Sequence, residues 1–188
     1  TTLYQYVRHL EDNKQKTNRY DIALWKKVIY PLAVLVMMAL MTVFGQAQEI
    51  TGKVVGVHDG DTITLLTAEK EQLKVRLEGI DAPELKQAFG NASKQSLSDL
   101  VFGKLVRLEV AGKDRYKRTL GHVFVGETWV NLAQVKKGFA WHYKKYSKNA
   151  GLGEGEAKAR EARLGLWKDA SPVASWDWRS ASKKKAAP

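Results

Sequence analysis

Five short stretches of this chain, at residues 48–57, 62–66, 72–77, 105–110 and 119–125, alternate apolar and polar residues. A period of two belongs to half-buried strands and cannot be held by helices. Five such strands suit a small closed barrel, because closure removes the exposed edges that an open sheet of this size would present. The first two flank Asp59-Gly60, a pair that tolerates the positive φ of a hairpin turn. Residues 92–101, with Leu97, Leu100 and Val101 apolar, read as a helix, as do 130–137 and 154–164, the last stopped by Gly165 and Trp167. The expected class is therefore α+β, mainly β, with about three helices.

The polar residues at the joints of this pattern are unusual as a set. Asp59-Gly60-Asp61-Thr62 is followed by Arg76-Leu77-Glu78-Gly79-Ile80-Asp81-Ala82-Pro83-Glu84. Asp61, Asp81 and Glu84 supply the hard oxygen ligands that Ca²⁺ prefers. Arg76 offers a planar fork that fits a phosphate through two hydrogen bonds. A third cluster, Asp114-Arg115-Tyr116-Lys117-Arg118, adds two guanidiniums and an aromatic ring. Acids for a metal, arginines for a phosphate and a ring for a base describe a site for metal-assisted attack on a phosphodiester. A lone Asp-Gly is usually only a turn, and a lone Arg beside acids only an ion pair; it is their order and spacing that give them meaning.

From about Glu49 to Trp167 the chain resembles the thermonuclease, or staphylococcal nuclease-like, domain, on Asp59 to Thr62, Arg76 to Glu84, Asp114 to Gly121 and Val130-Asn131. The resemblance implies a five-stranded barrel of the oligonucleotide/oligosaccharide-binding (OB) type. It places Asp61, Asp81 and the backbone carbonyl of Ala82 on Ca²⁺, Glu84 as general base, and Arg76 and Arg118 on the scissile phosphate. It implies hydrolysis of single-stranded or locally opened DNA and RNA at the 5′-oxygen, leaving 3′-phosphates. Arg115 and Tyr116 would contact the nucleotide, with a base also stacked on Tyr143 or Tyr146 within Trp141-His142-Tyr143-Lys144-Lys145-Tyr146; the register between these two tyrosines stays open. Three features depart from the family's pattern: Ala82 stands for a threonine, Lys117 for a glycine, and residues 85–93 make a short loop. A non-catalytic barrel of the same type, binding nucleic acid or protein, is the alternative.

Composition points the same way. The net charge is +11, of which residues 48–188 carry +8, and excess Lys and Arg favours polyanionic partners. With no cysteine, disulfides, thiolate metal sites and cysteine nucleophiles are excluded. No protein partner is indicated, and a monomer is expected.

The first 47 residues stand apart. Residues 28–44 are uncharged, follow Lys26-Lys27 and lead to Gly45-Gln46-Ala47, the small-x-small form that signal peptidase reads. An export signal cleaved after Ala47 is expected, releasing the protein to the periplasm or medium. The competing expectation is an inner-membrane anchor through residues 28–44, at the short end for a spanning helix. Residues 1–43 are similar to the C-terminal part of the lipopolysaccharide-export permease family, which reads as a fusion or misplaced start. The organisation expected is thus a polar leader at 1–27, a signal or anchor at 28–47, the barrel domain at 48–169 and a Trp-containing tail at 170–188. In that tail Ser175-Trp176-Asp177-Trp178-Arg179 is similar to the Trp-acid-Trp-Arg ending of many exported bacterial members. Its tryptophans are expected to pack on the barrel and residues 180–188 to be a disordered basic end.

Overall fold

The computed structural model describes residues 48–186 without a break, together with helical residues at 5–6, 8–11, 27, 29–32 and 34–36. The chain divides into two units, Thr1–Gln46 and Ala47–Pro188. The expected cleavage motif Gly45-Gln46-Ala47 and most of the apolar run before it lie outside the described residues. Among the described residues no helix is long and apolar enough to cross a membrane.

The second unit contains the strands that the alternation predicts. β1 (Glu49–Val57), β2 (Thr62–Thr67) and β3 (Gln72–Leu77) form an antiparallel meander, followed by the two-residue β4 (Ile80–Asp81), β5 (Leu105–Lys113), β6 (Thr119–Val125), β7 (Thr128–Trp129) and β8 (Trp141–His142). The sheet order is β3-β2-β1-β5-β6-β7, and a further parallel pairing of β3 with β6 joins the two ends of the five long strands into a ring. In that closure Val75 faces Thr119, Arg76 faces Leu120 and Leu77 faces Gly121. Inside the ring lie Val54, Ile63, Leu65, Val75, Leu77, Leu108 and Val123, all fully buried. Their outward-facing neighbours stay partly wet, which is the alternation legible in the sequence.

Helices plug and cover this ring. α1 (Gly90–Val101) and α2 (Val130–Lys136) contribute Leu97, Val101, Val130 and Val135 to the same core, and α3 (Ala150–Glu161) adds Leu152. A second apolar cluster gathers Trp141, Ala159, Leu166 and Trp167, with Phe89, Ala174 and Trp176 packed against it. Trp141 is thus a core residue. The tail departs from expectation: α4 (Ser175–Ala186) runs helical into the lysine-rich end that was expected to be irregular. Alanine and lysine are good helix formers, and no Gly or Pro interrupts residues 175–186. The short β4–β8 ladder and β7 were also not anticipated, being too short to show any period.

One buried amide secures the ring where β3 and β6 meet. The Asn131 side chain is fully buried; its Oδ1 accepts the Val123 amide at 3.0 Å, and its Nδ2 donates to the carbonyls of Glu78 (2.9 Å) and Gly121 (3.2 Å). Removing it strands backbone groups away from water, each costing about 1–3 kcal/mol. Asn131→Leu is expected to lower the stability of the domain by about 3 kcal/mol, read as a fall in urea midpoint at unchanged slope.

Candidate active site

The short β4–β8 ladder and the turn before it gather the acids at the rim of the ring. Asp61 opens β2's hairpin, its carbonyl accepting the Leu77 amide at 2.8 Å, so the loop is sewn to the end of β3. Asp81 sits on β4 opposite Trp141, and Tyr143 just beyond β8 donates its amide to Gly79 at 2.9 Å. The hairpin tip is held from beneath by Gln134 of α2, fully buried, whose Nε2 donates to the carbonyls of Gly60 (2.9 Å) and Ser93 (3.2 Å) while its Oε1 accepts Ser96 Oγ at 2.6 Å. Gly60 is required by this packing: a Cβ there would lie 1.8 Å from Ser93 Oγ and 2.7 Å from Ala82 Cβ.

Within this frame the carboxylates converge on guanidiniums. Arg76 Nη2 stands 3.2 Å from Asp61 Oδ2 and 2.6 Å from Asp81 Oδ1, while its Nη1 donates to the Ile80 carbonyl at 3.0 Å. Asp61 is fixed further by the Ala82 amide on Oδ2 at 2.9 Å and by Thr62 Oγ1 on Oδ1 at 2.9 Å. A second guanidinium, Arg179 of α4, reaches back from the tail to Asp81 Oδ2 at 2.8 Å and Glu84 Oε1 at 2.7 Å. Ser175, also fully buried, donates its hydroxyl to the Ala82 carbonyl at 2.6 Å. The structure therefore brings Asp61, Arg76, Asp81, Ala82 and Glu84 together as expected, and adds Arg179 and Ser175, which sequence reasoning missed. Their one signal was the Trp-Asp-Trp-Arg tail itself, which gives no hint of partners 93 to 98 positions away.

Electrostatically the site is short of positive charge. Burial raises the Asp81 carboxyl above the usual range in spite of the pull of Arg179 and Arg76. Burial and the neighbouring Asp61 charge push Asp59, whose Oδ1 accepts the Asp61 amide at 3.0 Å, up to about 6. Buried carboxylates that resist ionisation are stabilised by an added cation. Two carboxylate oxygens already aimed at one positive nitrogen are hard donors of the kind that suits a divalent ion such as Ca²⁺, and the Ala82 carbonyl, one residue on from Asp81, would be a third oxygen. Among the described residues no group of three or more His, Cys, Asp or Glu is arranged to hold a metal, so the remaining ligands would be that carbonyl and water.

The second arginine cluster lies in the turn between β5 and β6. Arg118 precedes β6, beside the strand that carries Arg76, but its Nε donates to Asp114 Oδ2 at 2.7 Å and it has no ion pair with Asp61, Asp81 or Glu84. Asp114 Oδ1 also accepts the amides of Tyr116 (2.8 Å) and Arg118 (2.9 Å). Although partial burial opposes ionisation, the hydrogen bonds from Arg118 and these amides prevail and hold the Asp114 carboxyl below its usual range. Arg115 and Arg118 both lie over the Tyr116 ring, at 4.9 and 5.7 Å from its centroid. Tyr143 stacks flat on Trp176 at 5.1 Å and meets Tyr146 edge-on at 4.8 Å, so both tyrosines of the open register share one aromatic group.

Lys117, between Tyr116 and Arg118, has φ +64°. This is the left-handed conformation that glycine adopts without strain, and it costs other L-residues about 1–2 kcal/mol. Glycine would lose about 0.5–1 kcal/mol of that advantage through its freer unfolded chain. Lys117→Gly is expected to raise stability by about 0.5–1 kcal/mol, measured by thermal or urea unfolding, with Arg118 still held by Asp114.

Comparison with known proteins gives the family. The family model "Staphylococcal nuclease homologue" matches residues 74–169, a stretch that carries Arg76, Asp81, Glu84 and Arg118 and begins after Asp61. An uncharacterized endonuclease of Haemophilus influenzae is 47% identical over 133 residues, covering 71% of this chain and 75% of that protein. A micrococcal nuclease of Shigella flexneri is 42% identical over 146 residues, covering 72% and 83%. The staphylococcal-like nuclease CAN1 of Arabidopsis thaliana is 38% identical over 109 residues, a third of its own length (34%). On the family match and these relatives, the chain belongs to the staphylococcal nuclease homologues.

Proposed function

We propose that the chain is a Ca²⁺-dependent endonuclease that hydrolyses phosphodiester bonds of DNA and RNA, breaking the bond to the 5′-oxygen and leaving 3′-phosphates, on a barrel of the OB type. The observation that carries this reading is the convergence of Asp61 and Asp81 on the Arg76 guanidinium, with Glu84 held to the same Asp81 through Arg179. The strand order supports the barrel type, since the ring closes by a parallel β3–β6 pair in an otherwise antiparallel meander. The cleavage side rests on the family resemblance alone.

Asp61, Asp81 and the Ala82 carbonyl would hold Ca²⁺, which when bound supplies Lewis acidity toward a phosphate oxygen and toward a water. Glu84 takes the proton from the attacking water; its Oε2 accepts no hydrogen bond among the described residues and is free to do so. Arg76 then neutralises charge that builds on the equatorial phosphate oxygens. Arg118, tied by one nitrogen to Asp114, has its terminal nitrogens left to bind the same phosphate. Tyr116 and Tyr146, 65% and 63% exposed, offer faces for bases, with Arg115 a cation beside the first and Lys145 beside the second. The net positive charge draws in the polyanion.

Cleavage of a labelled single-stranded oligonucleotide in Ca²⁺ and its loss in EDTA tests the reading; cleavage indifferent to chelator, or binding without cleavage, refutes it. Glu84→Gln is expected to lower kcat by about 10²-fold or more with little change in Tm. Asp61→Ala is expected to weaken Ca²⁺ binding in calorimetry.

We further propose export with cleavage after Ala47, which would place the enzyme in the periplasm or medium; the charge pattern of residues 26–47 supports it. Mass analysis of the mature product is expected to find an N-terminus at Gln48. Retention of the full chain in membranes after a carbonate wash would favour the anchor instead.

A further inference from the structure

The C-terminal segment is built into the active site at four points. Gln87 Nε2 donates to the Val173 carbonyl at 2.5 Å, and buried Ser175 donates to the Ala82 carbonyl at 2.6 Å. Trp176 packs edge-on against Trp141 at 6.2 Å and flat against Tyr143 at 5.1 Å. Arg179 spans Asp81 and Glu84. The first three ties are buried or stacked, so the helix that carries Arg179 is seated by the core and does not depend on the ion pairs to stay in place.

The geometry points to Arg179 as a positioning residue of the reaction: its planar guanidinium sets the metal-binding carboxylate of Asp81 and the base carboxylate of Glu84 in a fixed relation. The inference rests on the function proposed above. Glu84 lies half-exposed at the start of a short loop, and its backbone amide is held only by Gln87 Oε1 at 3.2 Å. Left alone, its side chain would sample several rotamers, few of them aimed at a water on the cation. Arg179 Nη1 takes Glu84 Oε1 and leaves Oε2 open, while Nη2 takes Asp81 Oδ2 at 2.8 Å and Nη1 also reaches Asp81 Oδ1 at 3.3 Å, the oxygen that Arg76 holds at 2.6 Å. Glu84 thus keeps one oxygen for chemistry, while both oxygens of Asp81 are fixed in place by guanidiniums. A lysine ammonium, being a single point of charge, holds two carboxylates in a less defined relation.

A different arrangement would make the same contacts inhibitory, with α4 as a strap that leaves before catalysis. The buried Ser175 hydroxyl and the Trp176 stack argue against release, since leaving would expose both.

The test uses the full chain, Arg179→Ala and Arg179→Lys, a fluorescent single-stranded oligodeoxynucleotide and Ca²⁺, with kcat, KM, Tm and calorimetric Ca²⁺ affinity read for each. Arg179→Ala is expected to lower kcat tenfold or more, in the range of a misplaced base, with KM within about threefold and Tm nearly unchanged. Its Ca²⁺ affinity should hold or rise, because a positive charge beside the cation is gone. Arg179→Lys should fall between alanine and wild type, and it carries the comparison if alanine lowers Tm by more than a few degrees. A kcat for Arg179→Ala equal to wild type, or above it as a strap requires, overturns the proposal; so does a loss of Ca²⁺ binding that accounts for the whole fall in rate. Absence of cleavage by the wild type itself would instead sink the function on which the proposal rests.

Discussion

Parallel pairing of β3 with β6 is the contact on which the site depends, because it closes the ring and sets the active-site strands side by side. Without it the long strands would form an open sheet, and Arg76 would lie on an edge strand four places away from β6, the strand that Arg118 leads into. The chain leaves β3 at Leu77, turns through Glu78-Gly79 and enters β4 at once, so Asp81 is delivered a few residues beyond the closure. Asn131 bonds to both sides of that junction and Gln134, on the same helix, to the hairpin loop before Asp61. Helix α2 is thus a brace between the closure of the ring and the placement of the acids.

The site built on this frame is charged at the expense of stability. Burial opposes ionisation of Asp59 and Asp81, and a buried ion pair seldom repays its full desolvation cost. A fold selected for stability alone would put apolar residues here. Instead two guanidiniums are brought in, one from the adjacent strand and one from a helix almost a hundred residues later, and the carboxyls of Asp59 and Asp81 still remain harder to ionise than in water. An electrostatic deficit of this kind is what a cation and a phosphate together would relieve, the one satisfying the acids and the other the arginines.

What could be read from the sequence follows from how local each signal is. β3 and β6 are found at the expected residues because alternation over six or seven positions is a local property, and β2 and β5 run on by one and three residues where turn residues give no sharp stop. The acids and Arg76 are legible through fixed spacing along one stretch. Arg179 is not, since its meaning comes from Asp81 and Glu84, 98 and 95 positions away. The lysine-rich end shows the opposite error: charge suggested disorder, while the helix propensity of its alanines and lysines carries α4 to Ala186. Lys117 lies between these cases. The sequence shows only that a lysine stands where the family pattern has a glycine, and the structure supplies the φ of +64° that makes the exchange costly.

The aromatic residues tie these strands of argument together. Trp176 lies between Tyr143 and Trp141, so one side chain from the tail bridges the base-stacking candidates and the second apolar core. With its face against Trp176, Tyr143 has one face committed to the protein, whereas Tyr116 and Tyr146 project into solvent. A base held at Tyr143 would therefore find a platform already fixed by packing, and a base at Tyr116 an exposed ring flanked by two arginines. The difference in preorganisation, more than the number of rings, should govern which nucleotide is held firmly and which merely follows. Because Arg179 leaves the same helix one turn after Trp176, the element that stiffens the platform is also the one that aligns the acids.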